Sequence, residues 1–149
     1  MKIIARNRKA HHDYFILETY EAGIILRGSE IKSIRAGKVN IGDSYVDFKN
    51  ESAYLIGMHI AKFDKSNIFN HEELRERRLL LNKREIKKLI SKINEKGNAV
   101  IPLKVYLKEA LCKVEIALVK GKKLYDKRED LKRKDQEIRI KKGIGKLWK

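Results

Sequence analysis

Alternation of apolar and polar positions is cleanest at residues 111–120, where Cys112, Val114, Ile116 and Leu118 are interleaved with Lys113, Glu115 and Ala117. Period two with one apolar face predicts a half-buried strand. Residues 100–108 carry a matching pattern, with Leu103, Val105 and Leu107 on one face and Pro102 near the beginning, where a missing donor is tolerable. The two segments predict a hairpin. Upstream, Tyr14 to Leu26 is rich in β-branched, aromatic and aliphatic residues, and Glu21-Ala22-Gly23 would permit a bulge or sharp bend in its middle. A long bent strand, or two strands in series, is expected. Residues 44–49 and 53–60 predict a second hairpin, turned by Asn50-Glu51-Ser52.

Helical signals are fewer. Ser29 as N-cap, Ile31 and Ile34 on one face and Gly37 as a left-handed stop predict a short helix over 30–36. Asn82 followed by Glu85 makes a capping-box start, Ile86, Leu89, Ile90 and Ile93 follow at helical spacing, and Gly97 is the expected C′ residue. Asn7 to Tyr14 reads as a short helix or an arm against the domain. Residues 61–78 show no stable period and much charge, which predicts a long mobile loop of the kind that carries contacts.

The fold class expected is mainly β with short helices. About six antiparallel strands, two or three helices and curvature at Gly23 and Gly57 suggest a closed barrel, OB-fold-like (oligonucleotide-binding) in type. A twisted α+β sheet covered on one face is the alternative. The pattern changes at Lys120. From there to Lys149 apolar residues are too sparse for a core, and 13 basic against five acidic residues give +8, half of the chain's +16. The expected division is therefore a domain over 1–119 and a basic tail over 120–149, disordered alone. Leu124, Leu131 and Ile138 recur every seven residues, so the tail could fold as a helix on a partner, ~45 Å long at ~1.5 Å per residue. A solubilising tail or a partner coiled coil are the plainer readings; Gly143 and Gly145 oppose a long coil. Trp148 is placed to stack on a base or anchor the tip.

An excess of 36 Lys+Arg over 20 Asp+Glu points to phosphate-bearing partners, nucleic acid before membrane. The apolar runs fall far short of the ~20 residues of a membrane span, and an apolar leader is missing from the first residues, so a cytoplasmic location is expected. Cys112 belongs to the core pattern, and His11, His12, His59 and His71 show no zinc-binding spacing, so neither metal nor cofactor is expected. The nucleophile, phosphate-loop and dinucleotide motifs are all missing, and acid pairs such as Glu72-Glu73 sit in basic, polar sequence, which argues against an enzyme. Arg75, Arg77, Arg78, Lys83, Arg84, Lys87 and Lys88 are either the wet face of the helix and its leading loop or a phosphate-neutralising patch. Leu80 and Asn82 lie among them and would fit an RNA surface by packing and hydrogen bonding.

Several stretches together resemble the bacterial SsrA-binding protein family, also called small protein B. They are Asn7-Arg8-Lys9-Ala10, Tyr20-Glu21-Ala22-Gly23-Ile24, Gly28-Ser29-Glu30-Ile31-Lys32-Ser33 with Arg35-Ala36-Gly37, Asp43-Ser44-Tyr45-Val46, the run from Leu79 to Glu85, and the run from Lys120 to Arg128. The resemblance implies an OB-type barrel that grips the tRNA-like domain of transfer-messenger RNA and rescues stalled ribosomes in company with elongation factor Tu and GTP. The body would stand in for a missing anticodon arm. The tail would become helical in the empty messenger channel beyond the decoding centre of the small subunit. RNA contacts are implied at Glu21, Leu80 and Asn82, with Lys83 and Arg84 beside them, and ribosome contacts in the tail at Gly121, Lys122, Lys123, Tyr125, Asp126, Lys127 and Arg128. The expected protein is a monomer without a membrane partner. A generic basic RNA chaperone or ribosome-associated structural protein is the alternative function.

Two positions depart from the family pattern. Tyr125 stands where histidine is frequent, keeping an aromatic face but losing a titratable nitrogen. Glu72-Glu73 replaces a common Asp-Pro. Glu21 poses a separate question, because an acid in an RNA site repels phosphate. It either accepts from base amino or imino groups or braces a neighbouring basic side chain.

Overall fold

The computed structural model describes residues 1–63 and 70–122. Among these residues nine strands and three short helices are formed: β1 (Lys2–Arg6), α1 (Ala10–Asp13), β2 (Tyr14–Ile24), α2 (Gly28–Arg35), β3 (Val39–Asn40), β4 (Tyr45–Lys49), β5 (Ser52–Ile56), β6 (His59–Ile60), β7 (Arg77–Leu80), α3 (Lys83–Ile93), β8 (Asn98–Lys108) and β9 (Leu111–Gly121). Seven strands make one antiparallel sheet in the order β1-β8-β9-β2-β7-β5-β4, and β3 pairs with β6 separately. The architecture is mainly β, as expected, with more strands than the six anticipated. The described strand pairing closes no ring: it ends at β1 on one side and β4 on the other.

Two bulges organise the packing. The β2–β9 register shifts between Ile16 and Glu18, and the β8–β9 register shifts between Pro102 and Lys104. Each extra residue reverses which parity faces which side. Ile16 therefore packs with Ala117, Val119, Ile101 and Leu103 under Ala10 of α1, while Tyr20 and Val105 turn to the main core of Leu55, Leu79, Leu89, Val114 and Ile116. This corrects the grouping of Leu103 with Val105 on one face. It also moves the expected irregularity from Gly23 to Leu17, since Gly23 is regularly paired with both Lys113 and Leu80. The β8 bulge is pinned by Asn7, whose backbone N–H donates to Leu103 O at 2.7 Å and whose amide donates to Pro102 O at 3.2 Å.

The caps differ from expectation in two places. Helix α2 is capped at Arg27 rather than Ser29, because Glu30 reaches back to accept from the Arg27 N–H at 2.7 Å. Ser29 is thereby freed to hydrogen-bond His71 Nδ1 at 2.8 Å, and His71 Nε2 donates to Ile60 O at 2.8 Å. Helix α3 ends with Asn94 as its C-cap, and Gly97, at φ +83°, makes the turn into β8 instead of serving as C′. Cys112 packs against the main core as expected, and burial pushes its thiol up to about 11.

The expected loop over 61–78 is strapped down where it is described. His71 and Arg77 are fully buried, and β7 begins within the stretch. Glu30, also fully buried, accepts from Arg75 Nη2 at 2.6 Å and from Arg77 Nε at 2.7 Å. The far end of Arg77 donates to Met58 O at 2.6 Å and to the carbonyls of Glu72 and Glu73 at 3.3 and 3.2 Å. One guanidinium thus fastens α2, the turn between β5 and β6, and the Glu72-Glu73 backbone together.

Candidate nucleic-acid interface

Glu21 and Leu80, 59 residues apart in sequence, come close where β2 meets β7, and Asn82 follows two residues beyond Leu80. The pairing Gly23↔Leu80 places Leu80 diagonally across from Glu21 on the sheet face turned away from the main core. Continuing that antiparallel register by two residues would set Asn82 opposite Glu21. Glycine at 23 is what allows this: a Cβ there would lie 3.3 Å from Leu80 Cβ, so any side chain would press Leu80 away. Leu80 is 52% exposed, and Ile25, whose N–H donates to Arg78 O one step further along the same register, is 47% exposed, so two large apolar side chains are left at this surface.

Asn82 caps α3. Its Oδ1 accepts from the Glu85 N–H at 2.9 Å, and Glu85 Oε1 accepts from the Asn82 N–H at 3.1 Å. The amide NH2 is then the part of the side chain that can face a ligand. Asn82→Ala is expected to cost about 1 kcal/mol of stability in urea denaturation, whereas Asn82→Ser, which keeps a capping oxygen, should be near neutral. Lys83 and Arg84 in the first turn, with Arg78 and Lys87, are exposed.

Three members of the expected basic patch are diverted. Arg77 is buried on Glu30, and Arg75 shares the same carboxylate with its side chain 25% exposed. Lys88 Nζ lies 2.8 Å from Glu18 Oε2, and that contact is the main reason the Glu18 carboxyl sits below its usual range. The exposed cations not engaged in these ion pairs are therefore Arg78, Lys83, Arg84 and Lys87 rather than all seven.

Glu21 braces its own neighbours. Its Oε2 accepts from the Tyr106 hydroxyl and lies 3.8 Å from Lys108 Nζ. Tyr106 first, with Lys108 and Lys113 behind it, outweighs the effect of burial and holds the carboxyl below its usual range. Burial, reinforced by the bond to Glu21, holds the Tyr106 phenol far above its ordinary value. Sequence reasoning missed Tyr106; the available signal was an aromatic between Lys104 and Lys108, at the parity opposite Val105.

Of the expected tail contacts, Gly121 and Lys122 are described. Gly121 N–H donates to Gly97 O at 3.0 Å, and Lys122 Nζ donates to His11 O at 3.0 Å and lies 5.0 Å from the centre of the Phe15 ring. Lys122 is thus held against the body. Lys123, Tyr125, Asp126, Lys127 and Arg128 lie outside the described residues. Among the described residues there is no cluster of three His, Cys, Asp or Glu side chains fit for a metal ion, and no helix is long and apolar enough to cross a membrane.

Residues 4–146 match the family model described as SmpB protein. An SsrA-binding protein of Thermoanaerobacter pseudethanolicus is 57% identical over 142 residues, covering 95% of this chain and 91% of that one. Another, from Geobacillus kaustophilus, is 52% identical over 143 residues, with coverages of 96% and 92%. A solved chain described under "tmRNA-SmpB: a journey to the center of the bacterial ribosome" superimposes with a TM-score of 0.70 at 42% identity, covering 96% of this chain and 98% of that chain. A match this long, at more than half identity to two relatives, makes the chain a member of the SmpB protein family.

Proposed function

We propose that this protein is a non-enzymatic RNA-binding factor that holds the tRNA-like domain of transfer-messenger RNA and brings it to stalled ribosomes for trans-translation. What supports this is the approach of Leu80 to Glu21 across the β2–β7 pairing, with Asn82 and the exposed cations Arg78, Lys83, Arg84 and Lys87 close to Leu80 in sequence. An apolar side chain, an amide and a carboxylate alongside exposed cations suit a structured RNA, read by shape, base edges and phosphates together. A uniformly basic surface would suit any polyanion. The relatives share this context by name, as SsrA-binding proteins and as part of a tmRNA–SmpB assembly in the bacterial ribosome.

The rest of the mechanism belongs to the same reading. The body over 1–119 is an OB-type barrel whose seam lies between β4 and the first half of β8. What supports this is that β1 pairs with β8 only over Lys104–Leu107, while β4 comes close to β8 across a groove lined by Asn7, Asp13, Ser44, Tyr45, Val46 and Ile101. The tail over 120–149, carrying half the net charge, enters the messenger channel of the small subunit near the decoding centre through Gly121, Lys122, Lys123, Tyr125, Asp126, Lys127 and Arg128. The complex acts in the cytoplasm with elongation factor Tu and GTP.

Selectivity tests it. At moderate salt the protein is expected to bind a tRNA-like folded RNA more tightly than single strands or duplex DNA. Four phosphate contacts would weaken that binding by about a hundredfold between about 50 and 200 mM salt. Asn82→Ser, stable but without the amide, is expected to lose affinity for the folded RNA. Equal affinity for all three nucleic acids would instead identify a generic RNA chaperone.

A further inference from the structure

The proposed RNA face contains a group of the wrong charge for phosphate, Glu21, in contact with a buried polar group that has no part in the core, the Tyr106 hydroxyl. Tyr106 sits at the outward parity of β8 yet is only 4% exposed. Its ring lies over the sheet, and its hydroxyl meets Glu21 of β2 across the intervening strand β9. The phenol and carboxylate together bridge two interstrand steps of ~4.8 Å.

The groups that face Glu21 are Tyr106 and Lys108 from β8 and Lys113 and Glu115 from β9, with uncharged Leu80 diagonal from it on β7. Glu115 is directly opposite Glu21 and would repel it, but Lys104 Nζ lies 3.9 Å from Glu115 Oε1. Two like charges are therefore kept side by side on an exposed face, which costs stability and serves no packing need. Tyr106 and Lys108 both engage Oε2, so Oε1 keeps its capacity to accept. An ionised carboxylate accepts and cannot donate, and in RNA the strong donors are base amino and imino groups.

We propose that Tyr106 is a positioning residue for RNA recognition: its buried hydroxyl fixes Glu21 as a rigid acceptor for a base amino or imino group, beside Leu80. This rests on the assignment of the Glu21–Leu80–Asn82 face to RNA. Fixing the side chain in advance removes the cost of immobilising it on binding, a gain of about three- to tenfold in affinity.

The test is a double-mutant cycle on the full chain, with Tyr106→Phe, Glu21→Gln and the pair, measured against a tRNA-like RNA fragment over a range of pH. Phenylalanine keeps the buried ring and removes only the hydroxyl. Tyr106→Phe is expected to weaken binding about three- to tenfold in the wild-type background and by less than about twofold on top of Glu21→Gln. Carbon NMR of the Glu21 carboxyl, without RNA, should show its titration moving up toward the ordinary carboxylate range in Tyr106→Phe, and the acid limb of RNA binding should move with it. Tight wild-type binding that Tyr106→Phe leaves unchanged, or weakens equally in both backgrounds, overturns the positioning role alone. Failure of the wild type to prefer the folded RNA overturns the RNA assignment, while the carboxyl titration still reports whether Tyr106 holds Glu21.

Discussion

Glu30→Gln is expected to lower stability by about 3–5 kcal/mol, and Tm by about 10–20 °C, although the two side chains have the same shape. The carboxylate is fully buried and neutralises Arg77, which is also fully buried. Removing the anion leaves a guanidinium charge in a site closed to water, and that uncompensated charge, more than the lost hydrogen bond, sets the size of the effect. Arg75→Gln removes a partner that is 25% exposed and should cost about 1 kcal/mol or less. Thermal and chemical denaturation of the two variants measure the contrast; equal small losses would refute the keystone role of Glu30. A pH series adds a second check. Burial pushes the Glu30 carboxyl up, but hydrogen bonds from Arg75, the Arg27 N–H and Arg77 outweigh it and hold the group below the ordinary carboxylate range. A depressed carboxylate contributes stability that is present above the unfolded value and is lost as pH falls through the folded one. The wild type should therefore lose stability on acidification below about 4.5, and Glu30→Gln, already without that contribution, should have a flatter acid limb.

Cutting the chain after Lys122 is expected to leave affinity for the tRNA-like RNA within about threefold while abolishing peptide tagging on stalled ribosomes. The cut removes 11 basic and five acidic residues, a net +6, and spares the contacts of Gly121 with Gly97 and of Lys122 with His11. Were the tail bound along the same RNA, each phosphate it neutralised would lower the salt slope by about 0.7–0.9. The slope is the sharper readout: equal slopes for full and cut chains assign the tail's charge to another partner, and a reduced slope places it on the first RNA. Tagging that survived truncation would remove the tail from the mechanism.

Most elements were legible because their signals are local. Asn82 with Glu85 and the Ile86–Ile93 spacing placed α3, and alternation placed β9. What escaped depends on partners distant in sequence. A bulge leaves no mark on composition, so the parity of Leu103 against Val105 could be read only once β9 was laid beside β8. Arg77 resembles every other arginine in its run until Glu30, 47 residues away, takes it out of water. Ser29 is a better intrinsic cap than Arg27 and lost the position because Glu30 supplied the capping bond from inside the helix. Glu21, Leu80 and Asn82 were indicated by family resemblance; the closeness of Glu21 to Leu80 required the β2–β7 register.

The two bulges have a mechanical corollary. Because they send apolar side chains to both sides of the sheet, β9 is clamped between the main core and the small one beneath α1, and it is laddered to β8 and β2 along nearly its whole length. The 27 residues after Lys122 thus spring from an inner strand of the sheet, not from a peelable edge. A pull on that extension would load two hydrogen-bond ladders in shear at once, so tension would turn the body as a rigid whole before it unzipped any part of it.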